Sequence, residues 1–222
     1  KTINNWYTYR IIFIPETIGS IAYLNKNKKN IENIVGGFNI VCVGDDNNYS
    51  LLKSRYGNTI SDKVAESILK KNNKKFKTYS YLERGSDERQ YCSPGVDLPI
   101  ASVMRSKYGT YKEYHTSDDN LRFVSSKGLS NSYNIYVQIL KSFEKKRIYK
   151  YLNFLYEPFL TKYSLYPNIG TTKNKTLTRD LLNFLAYTDG NNDLEDIAKI
   201  TKIKLSKIKN LAKKLEKIKI IK

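Results

Sequence analysis

"GGFNIVCVGDDNN", residues 36–48, sets a short apolar run, Phe38 to Val43, between glycines and a turn crowded with acids. Such a run, bounded by breakers, reads as a buried β-strand. The same layout stands upstream in "YTYRIIFIPETIGSIAYL", residues 7–24. There Tyr9 to Ile14 predicts a second buried strand ending at Pro15, with a helix starting near Thr17. Downstream, "ISDKVAESILKKN" carries Ile60, Val64, Ile68 and Leu69 at helical spacing behind Ser61, a residue type that caps helices. "KFKTYSYL" alternates as a strand, and "GVDLPIASVMRS" reads as another, broken by Pro99. In "SSKGLSNSYNIYVQILKSFEKK", Leu129, Tyr133, Tyr136, Val137 and Leu140 fall on one helical face. Strands alternating with helices across turns rich in Asp, Ser and Gly imply an α/β fold, with helices flanking a sheet.

The text changes character at Pro158. Residues 158–175 hold two prolines and no period, which predicts a linker after a domain spanning 1–157. Beyond it, "LTRDLLNFLAYTDG", "DLEDIAKITK" and "KLSKIKNLAKKLEKIKII" read as three short helices over 176–222. Asp193, with Asp196 three residues on, forms a variant capping box. Leu205, Ile208, Leu211, Ala212 and Leu215 make the apolar stripe of the last helix, and the closing "IKIIK" suits a strand. Three helices and a strand outline a winged helix-turn-helix.

A net charge of +18 raises the question of an acidic partner. Residues 141–222 hold 19 Lys and Arg against 8 Asp and Glu, so the excess is concentrated there. Lys204, Lys207, Lys209, Lys213 and Lys214 lie on or beside the third helix, yet no arginine follows Lys202. Arginine supplies the commonest base-specific contact, so these lysines favour non-specific phosphate contact or a solvated face over DNA reading. No run of about 18 apolar residues suggests a membrane span. No apolar leader opens the chain, and two cysteines without CxxC spacing argue against a disulfide framework, so a reducing cytoplasm is expected. The oligomeric state is not legible.

Four segments place an acid or imidazole just past a strand: Glu16 in "FIPETIGS", Asp45 and Asp46 in "VGDDNN", Asp87 and Glu88 in "GSDERQY", and His115 in "YHTSDDN". Ligand crevices in open α/β sheets lie outside the carboxyl ends of strands, so these groups can converge. Carboxylates with an imidazole suit a metal such as zinc, and a further carboxylate could deprotonate water. The same acids also suit helix caps and polar turns.

"YRIIFIPETIGSIAYL", "VCVGDD", residues 86–120 and the C-terminal three-helix unit resemble the aminopeptidase-like proteins associated with bacterial surface-polysaccharide gene clusters, divergent relatives of the zinc aminopeptidases. The resemblance covers essentially the whole chain and implies a zinc-aminopeptidase-like mixed sheet followed by a winged helix. It implies a zinc-dependent hydrolase acting on a peptide- or amide-containing small substrate. Glu16 matches that family's general base, while Thr17 stands where a metal-binding glutamate is the rule. Asp45 and His115 match metal ligands, and Glu88 replaces a histidine. Asp87, Arg89 and Tyr91 would line the substrate pocket, Arg89 either binding a carboxylate or pairing with Asp87 or Glu83. The family's His-Pro and Ala-Asn-Asp-Asn segments do not occur in residues 1–222, so the chain is expected to be the C-terminal part of a longer protein. The alternative is a non-catalytic regulatory or binding protein acting through the basic winged helix.

Overall fold

The computed structural model describes residues 5–72, 74–152, 156–166 and 175–222. The chain divides into two compact units, Lys1–Lys145 and Lys146–Lys222.

The first unit is a mixed α/β sheet domain. Its elements are α1 (Ile18–Lys26), β1 (Gly37–Asn39), β2 (Tyr49–Leu52), α2 (Ile60–Lys71), β3 (Phe76–Tyr79), α3 (Glu88–Tyr91), β4 (Ile100–Met104) and α4 (Ser126–Phe143). The strands lie in the order β1-β4-β2-β3. β1 runs parallel to β4, β2 parallel to β3, and β2 antiparallel to β4. Because β1 and β4 are parallel, the segments after Asn39 and after Met104 leave the sheet at the same edge. β2 and β4 are buried along their whole length, and α2 and α4 pack on each other, α2 also on β4. Leu51, Leu52, Val103, Met104 and Ile139 fill the interior. Burial of such side chains contributes about 2 kcal/mol each, which is what holds a sheet with strands this short.

Four expectations are corrected. Residues 9–14 form no strand, because none of the strand pairings of the sheet includes them, and Ile11 is 81% and Phe13 94% exposed. α2 is capped by Thr59, whose capping box with Asp62 satisfies the first turn, and Ser61 instead donates to the Pro99 carbonyl. The inner face of α4 is Gly128, Ser132, Ile135, Tyr136, Ile139 and Phe143, while Leu129, Tyr133 and Leu140 stand exposed. Small residues win that face because the chain at Gly44–Asp45 presses against it: a methyl on Gly128 would lie 2.2 Å from the Gly44 carbonyl oxygen. Finally, residues 148–150, expected within the first domain, fall in the second unit, and Leu160, expected in the linker, is buried in that unit's core.

The second unit runs β5 (Ile148–Lys150), α5 (Lys175–Ala186), β6 (Asp189–Asp193), α6 (Leu194–Thr201) and α7 (Leu205–Lys217). β5 pairs antiparallel with β6, and the closing residues return to β5 through a Tyr151–Ile221 bridge and reciprocal Lys150–Lys222 hydrogen bonds. One apolar cluster, including Phe184, Ile197, Ile208, Leu215 and Ile220, forms its core. Asp193 caps α6 as the capping box predicts, accepting from Glu195 and Asp196 N–H groups while Lys146 bonds its carboxylate. Leu160 is buried in this core, within the stretch expected to be a linker; residues 167–174 of that stretch lie outside the described residues. Lys207 is held by Asp180, whereas Lys204, Lys209, Lys213 and Lys214 are exposed. No helix among the described residues is long and apolar enough to cross a membrane.

Candidate functional site

The segments leaving β1 and β4 at their common edge meet the start of α1 and the start of α3. Tyr108, after β4, donates its hydroxyl to Glu88 Oε1 at 2.5 Å. Asn39, the last residue of β1, donates to Oε2 of the same carboxylate at 2.9 Å. Gly85 and Ser86 donate their N–H groups to Oε1 as well. Burial opposes ionisation of Glu88, but the Tyr108 hydroxyl and the backbone donors outweigh it, and its pKa lies below the usual glutamate value. Glu88 therefore stands as a fully buried carboxylate that ties three segments together.

One residue back, Asp87 Oδ1 accepts the Thr17 N–H at 2.7 Å, and Ser86 Oγ donates to Glu16 Oε1 at 2.5 Å. These two bonds bring Glu16, Thr17 and Asp87 together, although seventy residues separate them in sequence. The other oxygen of Glu16 accepts no hydrogen bond from the described residues, and the residue is exposed.

Asp45 is placed differently. It is buried, and its carboxylate accepts from the Asn47 N–H, the Ser106 N–H and the Ser106 hydroxyl. The N-terminus of α4 holds the same loop, since Ser125 N–H donates to the Gly44 carbonyl and Ser125 Oγ to Asp46. Cys42, which feels the charges of both Asp45 and Glu16, has its sulfur 3.6 Å from the Tyr111 hydroxyl. Burial pushes the Cys42 thiol up, the Tyr111 contact opposes this, and the charges of Asp119, Asp45 and Glu16 raise it further. Tyr111 in turn packs edge-on against Tyr114 and stacks on Phe123. Tyr111 thus lies within electrostatic reach of Asp45, and Tyr114 within reach of Glu16.

His115 takes no place among these acids. It is exposed and stacks on Tyr114, with ring centroids 3.9 Å apart and planes at 18°. Thr17, Cys42 and His115 all have positive φ, at 62°, 50° and 58°. Such conformations cost about 1–3 kcal/mol each outside glycine and gather where function constrains the chain.

The expected set is therefore split. Glu16, Asp87 and Glu88 converge, and Asp45 shares with Glu16 its electrostatic reach to Cys42. Arg89 points to a separate cleft, and the Tyr91 ring meets Tyr23 at 6.4 Å instead. The described residues do not fit a zinc ion. No group of three His, Cys, Asp or Glu among them is arranged to hold a metal, Asp45 and Glu88 are already engaged by donors of the chain, and the sole imidazole is stacked on a tyrosine. Sequence reading missed Asn39, Cys42 and Tyr108. Cys42 lies in the loop already marked by its acids, so its place after a strand was a usable signal; nothing in the sequence marks Tyr108.

Residues 1–146 match the family model described as a domain of unknown function (DUF4910), and residues 147–222 match a winged helix-turn-helix model. A relative from Clostridium acetobutylicum, designated a polysaccharide biosynthesis protein with aminopeptidase-like domain, is 36% identical over 217 residues, covering 97% of this chain and 50% of the relative. A crystal structure from the same organism, of a protein provisionally designated a peptidase, matches with a TM-score of 0.64 and 34% identity, covering 99% of this chain and 49% of that one. An aminopeptidase from Aneurinibacillus sp. strain AM-1 is 18% identical over 56% of this chain and 30% of its own, with a TM-score of 0.47. The chain spans about half the length of the two Clostridium proteins.

Proposed function

Because this chain belongs to the DUF4910 family and carries a winged helix-turn-helix behind that domain, we propose that it serves polysaccharide biosynthesis as an aminopeptidase-like protein whose acidic cluster acts on an amide- or peptide-containing small substrate. The observation that carries this reading is the unequal treatment of the acids. Asp45 and Glu88 have their oxygens filled by donors of the chain, so they fix the surrounding loops, whereas the exposed Glu16 keeps one oxygen open among the described residues. An open, oriented carboxylate is what abstraction of a proton from water requires. Ser86 holds the other oxygen and sets the direction of the open one. Asp87 fixes the Thr17 N–H and with it the strained backbone that carries Glu16. Asp87 also has a second carboxylate oxygen available to a substrate amine.

Zinc is the metal the resemblance implies. Since the described residues do not supply a set for it, no step is assigned to a metal, and a metal centre would need donors from outside them. The test is hydrolysis of an aminoacyl p-nitroanilide by the intact protein. Glu16→Gln is expected to lower kcat by about 100-fold or more with little change in KM, the usual loss when a general base is removed. Unchanged kcat in that variant overturns the assignment.

A further inference from the structure

At α3 the surface opens into a cleft of about 500 Å³ lined by Arg55, Arg84 and Arg89, with Ser80 and Ser93 adding hydroxyls. Arg55 donates to Asp97 at 2.5 Å, so its charge is matched. Arg84 and Arg89 have no acidic partner among the described residues. Arg84 is nevertheless positioned: its Nη1 donates to the Tyr81 carbonyl at 3.3 Å, and its guanidinium lies 4.6 Å from the Tyr81 ring centroid. The Tyr81 hydroxyl donates to the Arg89 carbonyl at 3.4 Å, linking the two walls. Ser80 caps the turn that carries Tyr81, accepting the Leu82 N–H.

Two unmatched guanidinium groups in a concave site attract anions, and their planar forks fit phosphate oxygens in bidentate fashion. The volume lies within the range of small-molecule sites, and Tyr81 with Pro94 gives an apolar flank for an organic group. We infer that this cleft binds a phosphate-bearing small molecule, with Arg84 and Arg89 holding the phosphate and Tyr81 flanking the remainder. The site shares no residue with the acidic cluster, so it stands or falls independently of the proposed hydrolase.

Calorimetric titration of the 222-residue chain with pyrophosphate and with glucose 1-phosphate, at constant ionic strength, tests the inference. Saturable binding is expected, weakened about tenfold or more by Arg84→Ala with Arg89→Ala. Lys213→Ala with Lys214→Ala, which removes equal charge from exposed positions of α7, is expected to leave affinity unchanged. Arg84→Lys with Arg89→Lys keeps charge and stem but loses the fork, and is expected to weaken binding while circular dichroism stays as in wild type. Three results overturn the inference: no saturable heat with either compound, equal weakening in the arginine and α7 variants, or succinate binding as tightly as pyrophosphate.

Discussion

Among the described residues, the groups that hydrogen-bond to the Glu88 carboxylate are donors: the Gly85 and Ser86 N–H groups, the Tyr108 hydroxyl and the Asn39 amide. Only a side chain that accepts on both arms suits that surrounding, which is why a carboxylate stands there and a histidine would not serve. Glu88→Gln turns one acceptor arm into a donor facing donors, and is expected to cost about 2–3 kcal/mol in urea unfolding at pH 7. The pH dependence follows from the same contacts. Because the folded-state pKa of Glu88 lies below its ordinary value of 4.5, its stabilising contribution is complete above that pH and is lost as pH falls through the folded value. Glu88→Gln should therefore flatten the loss of stability below about pH 4.5. At this scale the sequence was partly legible. Glu16, Asp45, Asp87 and Glu88 stood out as acids in turns, Glu16 behind an apolar run that forms no strand. The partners that decide which acid is locked and which is open, Tyr108 and Ser106, read as ordinary turn residues.

Elements with one face in water were legible from their periodicity, as α2, α6 and α7 show. Of the two strands buried at every position, β4 stood out by its apolar run after Pro99, whereas β2 carries no alternation and was not predicted. The face of α4 was misread for a related reason: hydrophobic spacing points to Leu129 and Tyr133, while the tight approach of the Asp45 loop selects Gly128 and Ser132. Ser132 confirms the approach by donating to the Val43 carbonyl at 2.7 Å. Gly128→Ala supplies the test. Helix propensity alone predicts a gain of up to about 1 kcal/mol, whereas a methyl forced against the Gly44 and Asp45 carbonyls should cost about 2 kcal/mol net. A lowered Tm in thermal unfolding, rather than a raised one, is the expected outcome.

On the scale of the whole molecule, the chain joins an α/β unit to a winged helix and spans about half the length of its Clostridium relatives. The apolar run at residues 9–14 has the composition of a buried strand, yet Ile11 and Phe13 face solvent. Phe13→Ser decides between these descriptions by magnitude: an exposed site predicts a change within about 0.5 kcal/mol, a buried one a loss nearer 3–5 kcal/mol. We expect the small value in urea unfolding of this chain. The most direct test of the account concerns the carboxylates themselves. If the chain's own donors occupy Asp45 and Glu88, and His115 stacks on Tyr114, calorimetric titration of this chain with zinc should show no stoichiometric site at micromolar concentrations, in wild type and His115→Ala alike. One equivalent of zinc bound tightly by wild type, and lost in both His115→Ala and Asp45→Asn, would contradict it.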